Sequence, residues 1–122
     1  MLLEQLRLLE ASLHGNRRHD REWLELILHP EFREITRSGV EVDRSETIES
    51  LLNEKASPYI LSSDFRLTGM GCGYALLHYR TFHADGSHKA LRSSCWILSD
   101  EGRWTLFFHQ GTPEADNDWG RG

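Results

Sequence analysis

A chain of 122 residues has the size of one domain and enough length to bury a single core. Its 39% apolar and 27% charged residues exclude disordered, collagen-like and coiled-coil classes. A net charge of −5, with 14 basic residues scattered rather than striped, argues against nucleic acid as a partner.

Leu2, Leu6, Leu9 and Leu13 recur at four-three-four spacing, and Leu3 and Leu8 widen the stripe, which predicts an amphipathic helix. His14, Gly15 and Asn16 end it, with the glycine expected to supply a left-handed stop. Glu4 stands where a signal peptide would carry positive charge, and no apolar run is long enough to cross a bilayer. The expectation is therefore a cytoplasmic protein, no membrane association, and Cys72 and Cys95 as buried reduced thiols, a disulfide being the alternative.

A second helix is predicted over 17–28, burying Trp23, Leu24, Ile27 and Leu28 and stopping before Pro30. Residues 32–37 alternate as a strand and turn at Ser38 and Gly39. Asp43 stands three residues before Glu46, the spacing of a capping box, so a short third helix follows with Ile48, Leu51 and Leu52 inward. Four long strands come next, over 59–70, 74–82, 89–98 and 104–110. Gly71, Cys72 and Gly73 make a bend, and Gly86 and Gly102 sit in the two hairpin turns that follow. The last strand is the most aromatic, and the rest of the chain reads as arranged to pair with it or cover it. Residues 1–113 form the domain and 114–122 a loose tail. The fold class is α+β, a curved antiparallel sheet wrapped on N-terminal helices with a hollow between them.

Strand alternation assigns side chains to faces. Phe32 and Glu34 share one face of the first strand, and Tyr79, then Arg92, Ser94 and Trp96, and then Phe107 and His109, share the corresponding face of later ones. On this reading Glu34, Tyr79, Arg92, Ser94, Trp96 and His109 line a pocket floored by Phe32 and Phe107. Glu34 is the candidate general base and His109 an acid/base near neutral pH, while Arg92 holds an anionic or carbonyl oxygen. The rival reading makes Glu34 and Arg92 a structural ion pair. His78, His83 and His88 lack the partners of a metal set, and no phosphate loop or nucleophile elbow occurs, so neither metal nor cofactor is expected.

The order helix, helix, strand, short helix, then four long strands resembles the nuclear transport factor two-like (SnoaL-like) superfamily. The phrases Leu28-His29-Pro30-Glu31-Phe32-Arg33-Glu34-Ile35, Ser38-Gly39 and Asp43-Arg44 resemble the front half of a branch of it with no assigned activity. Arg92 through Trp96, Glu101-Gly102-Arg103-Trp104 and Phe108-His109-Gln110-Gly111-Thr112-Pro113 resemble the back half. The resemblance implies a cone-shaped fold with a pocket and points to a homodimer; Trp23 of the second helix is a further candidate ligand-binding residue. Ketosteroid-isomerase-like members use a carboxylate base and a Tyr/acid oxyanion hole; Glu34 and Tyr79 match these by element, without the motif around them.

The second sheet face is also apolar, with Tyr74, Leu76, Phe82, Leu91, Cys95, Ile97, Leu106 and Phe108, and dimerisation would cover it. The functional expectation is a binder of a small organic ligand, of isomerase or lyase type. The alternative is a non-catalytic interaction module, an adaptor or toxin-neutralising partner, whose cavity is packed shut by Trp23, Trp96 and Phe107.

Overall fold

The computed structural model describes residues 1–15, 17–55 and 59–115. Helix α1 (Leu2–His14) and helix α2 (Arg21–Ile27) lead into strand β1 (Leu28–Ile35). Strand β2 (Glu41–Asp43), helix α3 (Arg44–Leu52), and strands β3 (Ile60–Gly71), β4 (Tyr74–His83), β5 (Ala90–Leu98) and β6 (Trp104–Pro113) complete the chain. The six strands form one sheet in the order β2-β1-β6-β5-β4-β3, so the last strand is central. Most neighbours are antiparallel, but β1 lies parallel to β6, which makes the sheet mixed.

Helix α2 is shorter than its periodicity implied, because the cap is Asp20: its side chain accepts from the Trp23 amide at 3.2 Å. Pro30 falls inside β1 rather than ending a helix. It brings no N–H to the ladder, and the pairing with β6 is interrupted between Leu28 and Arg33, then resumes. The capping box that opens α3 is complete, with Asp43 accepting from the Glu46 amide at 2.8 Å and Glu46 accepting from the Asp43 amide at 2.9 Å.

Gly39, Gly73, Gly86 and Gly102 turn the four β-hairpins with φ between 81° and 86°, where side chains other than glycine are strained. Gly15 ends α1 differently. Its φ is −117°, not left-handed, and glycine suits the place because a Cβ there would meet the Ala11 carbonyl at 3.0 Å.

Register shifts between Ser63 and Arg66, and between Leu67 and Gly69, bend β3 against β4. The curved sheet closes over the helices, and Leu6, Leu24, Ile27, Phe32, Ile48, Leu77, Tyr79, Trp96 and Leu106 fill the space between. No described helix is long and apolar enough to cross a membrane. Both cysteines are free thiols, Cys72 exposed and Cys95 half-buried. The expected loose tail begins with a tether, since the Glu114 amide donates to the Lys89 carbonyl at 2.9 Å. Asn16 at the predicted helix stop, residues 56–58 of the predicted loop, and 116–122 of the tail lie outside the described residues.

Candidate functional site

A cavity of about 120 Å³ lies between α1, α3 and the concave face of the sheet. Its walls are Leu13, Leu28, Phe32, Leu51, Ile60 and Leu106, with Glu10, His14, Arg18, Glu34, Thr47, Arg92 and His109 as polar groups. An outer hollow of about 210 Å³ shares Arg18, Glu34, Thr47 and Leu51 with it, so the cavity opens between β1 and α3. It is small beside the ~300–1,000 Å³ of drug-sized sites, which limits an occupant to a compact molecule.

Register places the polar groups. Glu34 is opposite His109, His109 opposite Ser94, and Arg92 opposite both Tyr79 and Gly111, so one face of β1, β6, β5 and β4 presents them together. Burial raises the Glu34 carboxyl above its ordinary pKa, an effect that Arg92 and Arg18 partly offset. Among the described residues no hydrogen bond or ion pair reaches the Glu34 carboxyl, so the anticipated Glu34–Arg92 ion pair is not formed. Arg92 instead donates from Nε to Thr81 Oγ1 at 2.9 Å and points Nη1 at His109 Nε2, 3.4 Å away. Thr47 Oγ1 is buried without a partner.

His109 is 5% exposed and is not the near-neutral acid/base the sequence suggested. Burial first, then the Arg92 charge, hold its pKa down at about 3, so at pH 7 the ring is neutral. With Arg92 donating to Nε2, the ring proton sits on Nδ1, 2.8 Å from Ser94 Oγ. In this geometry the ring bridges Arg92 Nη1 and Ser94 Oγ.

Beneath the cavity lies a group the sequence reading missed. Glu10 of α1 is 0% exposed, with Tyr79 Oη 2.6 Å from Oε1 and Trp96 Nε1 2.8 Å from Oε2. His14 Nε2 lies 2.7 Å from the same Tyr79 oxygen. Burial pushes the Glu10 carboxyl up, and holds His14 well below and Tyr79 well above their usual ranges. His14 and Tyr79 are therefore neutral at pH 7, and burial favours the protonated form of Glu10. A signal was present: Glu10 stands four residues after Leu6 and four before His14, on the apolar stripe of the helix.

Of the remaining predicted residues, Tyr79, Ser94 and Trp96 are buried on the concave side but sit behind the cavity wall, tied to Glu10 or His109. Trp23 lies elsewhere. Its indole donates to Ser12 Oγ at 2.8 Å under the Arg17 guanidinium, and it borders a separate hollow with Trp104. Phe107 is not the floor either. Cys95 pairs with Phe108 and Trp96 with Leu106, leaving Phe107 as an extra residue that turns outward against His29, ring centroids 5.0 Å apart. Leu106 takes its place inside and so is missing from the outer face. None of Trp23, Trp96 or Phe107 lines the cavity, which stands open. Among the described residues, no cluster of three or more His, Cys, Asp or Glu could hold a metal ion.

No family model matches this sequence. No curated protein matches it either. Solved structures do match. An NTF2-like protein from Cytophaga hutchinsonii superposes with a TM-score of 0.74 at 19% identity, covering 93% of this chain and 95% of that one. A candidate ketosteroid isomerase from Parabacteroides distasonis superposes with a TM-score of 0.78 at 10% identity, covering 97% and 92%. A protein of unknown function from Pectobacterium atrosepticum, of the DUF3225 family, superposes with a TM-score of 0.75 at 13% identity, covering 93% and 88%. The chain has an NTF2-like α+β cone fold.

Proposed function

We propose that the chain binds a compact carbonyl-bearing molecule in this cavity and catalyses an isomerase- or lyase-type proton transfer with Glu34 as the general base. The observation that carries the reading is the Glu34 carboxyl itself, on the cavity wall, raised in pKa by burial, with no partner among the described residues. A carboxyl kept for architecture would be hydrogen-bonded, as Glu10 is. In this scheme Glu34 takes a proton from the carbon beside the carbonyl, and the electrons of that C–H bond move onto the carbonyl oxygen. Arg92 stabilises the enolate that forms, since its guanidinium points into the same cavity. Return of the proton to another carbon completes an isomerisation, and loss of a β-substituent completes an elimination. The candidate ketosteroid isomerase among the structural neighbours agrees with this class.

The test uses cyclohexanone in heavy water, with the loss of its α-proton signal followed by NMR. The folded protein should accelerate exchange, and Glu34→Gln should remove ~10²-fold or more of that acceleration. Equal rates for the two proteins would end the base assignment. Native mass spectrometry of freshly purified protein reads cavity occupancy independently.

Self-association through the convex sheet face belongs to the same proposal. Tyr74, Leu76 and Leu91 lie exposed on one face of strands β4 and β5. A solution mass of one chain at micromolar concentration would rule it out. The free thiols favour a reducing compartment, the cytoplasm.

A further inference from the structure

We propose that Arg37 and Arg92 together form an anion subsite at the cavity end of β6, and that it takes the carboxylate of a small organic acid. This names the substrate class of the cavity and rests on the reading that the cavity binds a ligand.

Both arginine side chains cross over one residue, Gly111. A Cβ built there would come 2.5 Å from Arg92 Nη1 and 3.0 Å from its Cζ, and 3.4 Å from Arg37 Cγ. Glycine is what lets the two lie side by side. The Arg92 guanidinium is flanked by neutral groups, Thr81 Oγ1 and the His109 ring. Arg37 Nε is buried with no hydrogen-bond partner. Neither arginine forms an ion pair among the described residues. Other arginines of the chain are paired: Arg18 makes two hydrogen bonds to Glu54, Arg21 pairs with Glu25 and Glu49, and Arg80 pairs with Asp64 and Glu114.

Arg37 is not itself on the cavity wall, but its charge acts on Arg92 from behind the wall, and two such charges without a counter-charge are relieved by a bound anion. Their fork of N–H donors fits the two oxygens of a carboxylate. Apolar walls at Phe32, Leu28 and Leu106 suit a short hydrocarbon body. A monoanion is favoured over phosphate because the Glu34 carboxyl borders the same small space, where a second negative charge would be repelled.

The experiment is an amide NMR titration of the protein with butyrate, its uncharged counterpart butyramide, and inorganic phosphate at matched ionic strength. Butyrate should bind at least ~tenfold more tightly than butyramide or phosphate, moving the Gly111 amide signal. Arg37→Gln should weaken butyrate about tenfold and leave butyramide unchanged. Gly111→Ala should do the same by pushing the Arg92 guanidinium aside, and its amide spectrum elsewhere checks folding. Butyramide binding as tightly as butyrate, phosphate binding more tightly, no butyrate binding, or full butyrate affinity in Arg37→Gln would each overturn the subsite. The exchange assay on Glu34 is unaffected by any of these, so the two readings fail separately.

Discussion

Glu10 gives the most exacting test of the electrostatics at the base of the cavity. The Trp96 N–H donates to Oε2 and the Tyr79 hydroxyl donates to Oε1; a proton on Oε1 turns the second bond round, so that the acid O–H donates to Tyr79 and the Tyr79 hydroxyl donates to neutral His14. Glu10→Gln reproduces that pattern, with its carbonyl facing Trp96 and its NH₂ facing Tyr79. It should cost less than ~1 kcal/mol at pH 7. Glu10→Ala strands the Trp96 N–H and the Tyr79 hydroxyl at about 1–3 kcal/mol each and leaves a cavity besides. The total, roughly 3–6 kcal/mol, is a large share of the ~5–15 kcal/mol that holds such a domain together. The pH dependence adds a second reading. A carboxyl whose folded pKa is raised contributes stability fully present below its unfolded value of 4.5, and loses it as pH climbs to the folded value. Urea denaturation from pH 4 upward should therefore show Glu10→Gln gaining on the wild type with rising pH, then levelling. If Gln costs as much as Ala at pH 7, Glu10 is ionised and the argument fails.

His109 carries the opposite sign. Its folded pKa of about 3 lies below the ordinary 6.5, so acidification through that window protonates the unfolded chain and not the folded one. Stability falls as pH drops, at up to ~1.4 kcal/mol per pH unit for this group, and His109→Asn should remove one proton from the slope of urea-derived stability between pH 6 and 4; an unchanged slope would contradict the buried neutral ring. Leu106→Ala should cost about 2–5 kcal/mol and Phe107→Ala distinctly less, because the bulge puts the leucine inside. The reverse order in thermal melts would move the bulge. Asp43→Ala removes the side-chain acceptor of the Glu46 amide, while the Asp43 backbone N–H can still donate to Glu46, and should cost about 1 kcal/mol, seen as a lower urea midpoint with no change in slope.

How far the sequence could be read followed which signals are local. The hairpins were legible because Gly86 and Gly102 mark their own turns, and α3 because Asp43 and Glu46 cap it through adjacent backbone. The parallel pairing of β1 with β6 was not, since it joins residues more than seventy positions apart and no local pattern distinguishes it from an antiparallel edge. Face assignment held wherever pairing ran unbroken, as from Ala75 to Thr81 on β4, all buried on alternate positions. It slipped at Phe107 because a bulge adds one residue and reverses every face beyond it, while leaving no mark in composition. His109 keeps its inward place because it lies past the bulge, where its pairing with Ser94 of β5 and Glu34 of β1 is regular. Glu10 was visible as a charged residue on an apolar stripe, but its partners Tyr79 and Trp96 come from strands that only the folded sheet brings together.

The two carboxyls of this cavity show how one environment yields different roles. Burial raises both Glu10 and Glu34. Glu10 has spent its hydrogen-bonding capacity on Tyr79 and Trp96, so a proton exchanged there would disturb three core side chains at once. Glu34 stands at the wall with its oxygens uncommitted to any described residue and two guanidinium groups, Arg92 and Arg18, favouring its charged form. A base must release and regain a proton without reorganising its surroundings, and only the uncommitted carboxyl meets that condition. Helix α1 therefore supplies the carboxyl that fixes Tyr79 and Trp96 in place, and in the proposed reaction β1 supplies the one that takes the proton.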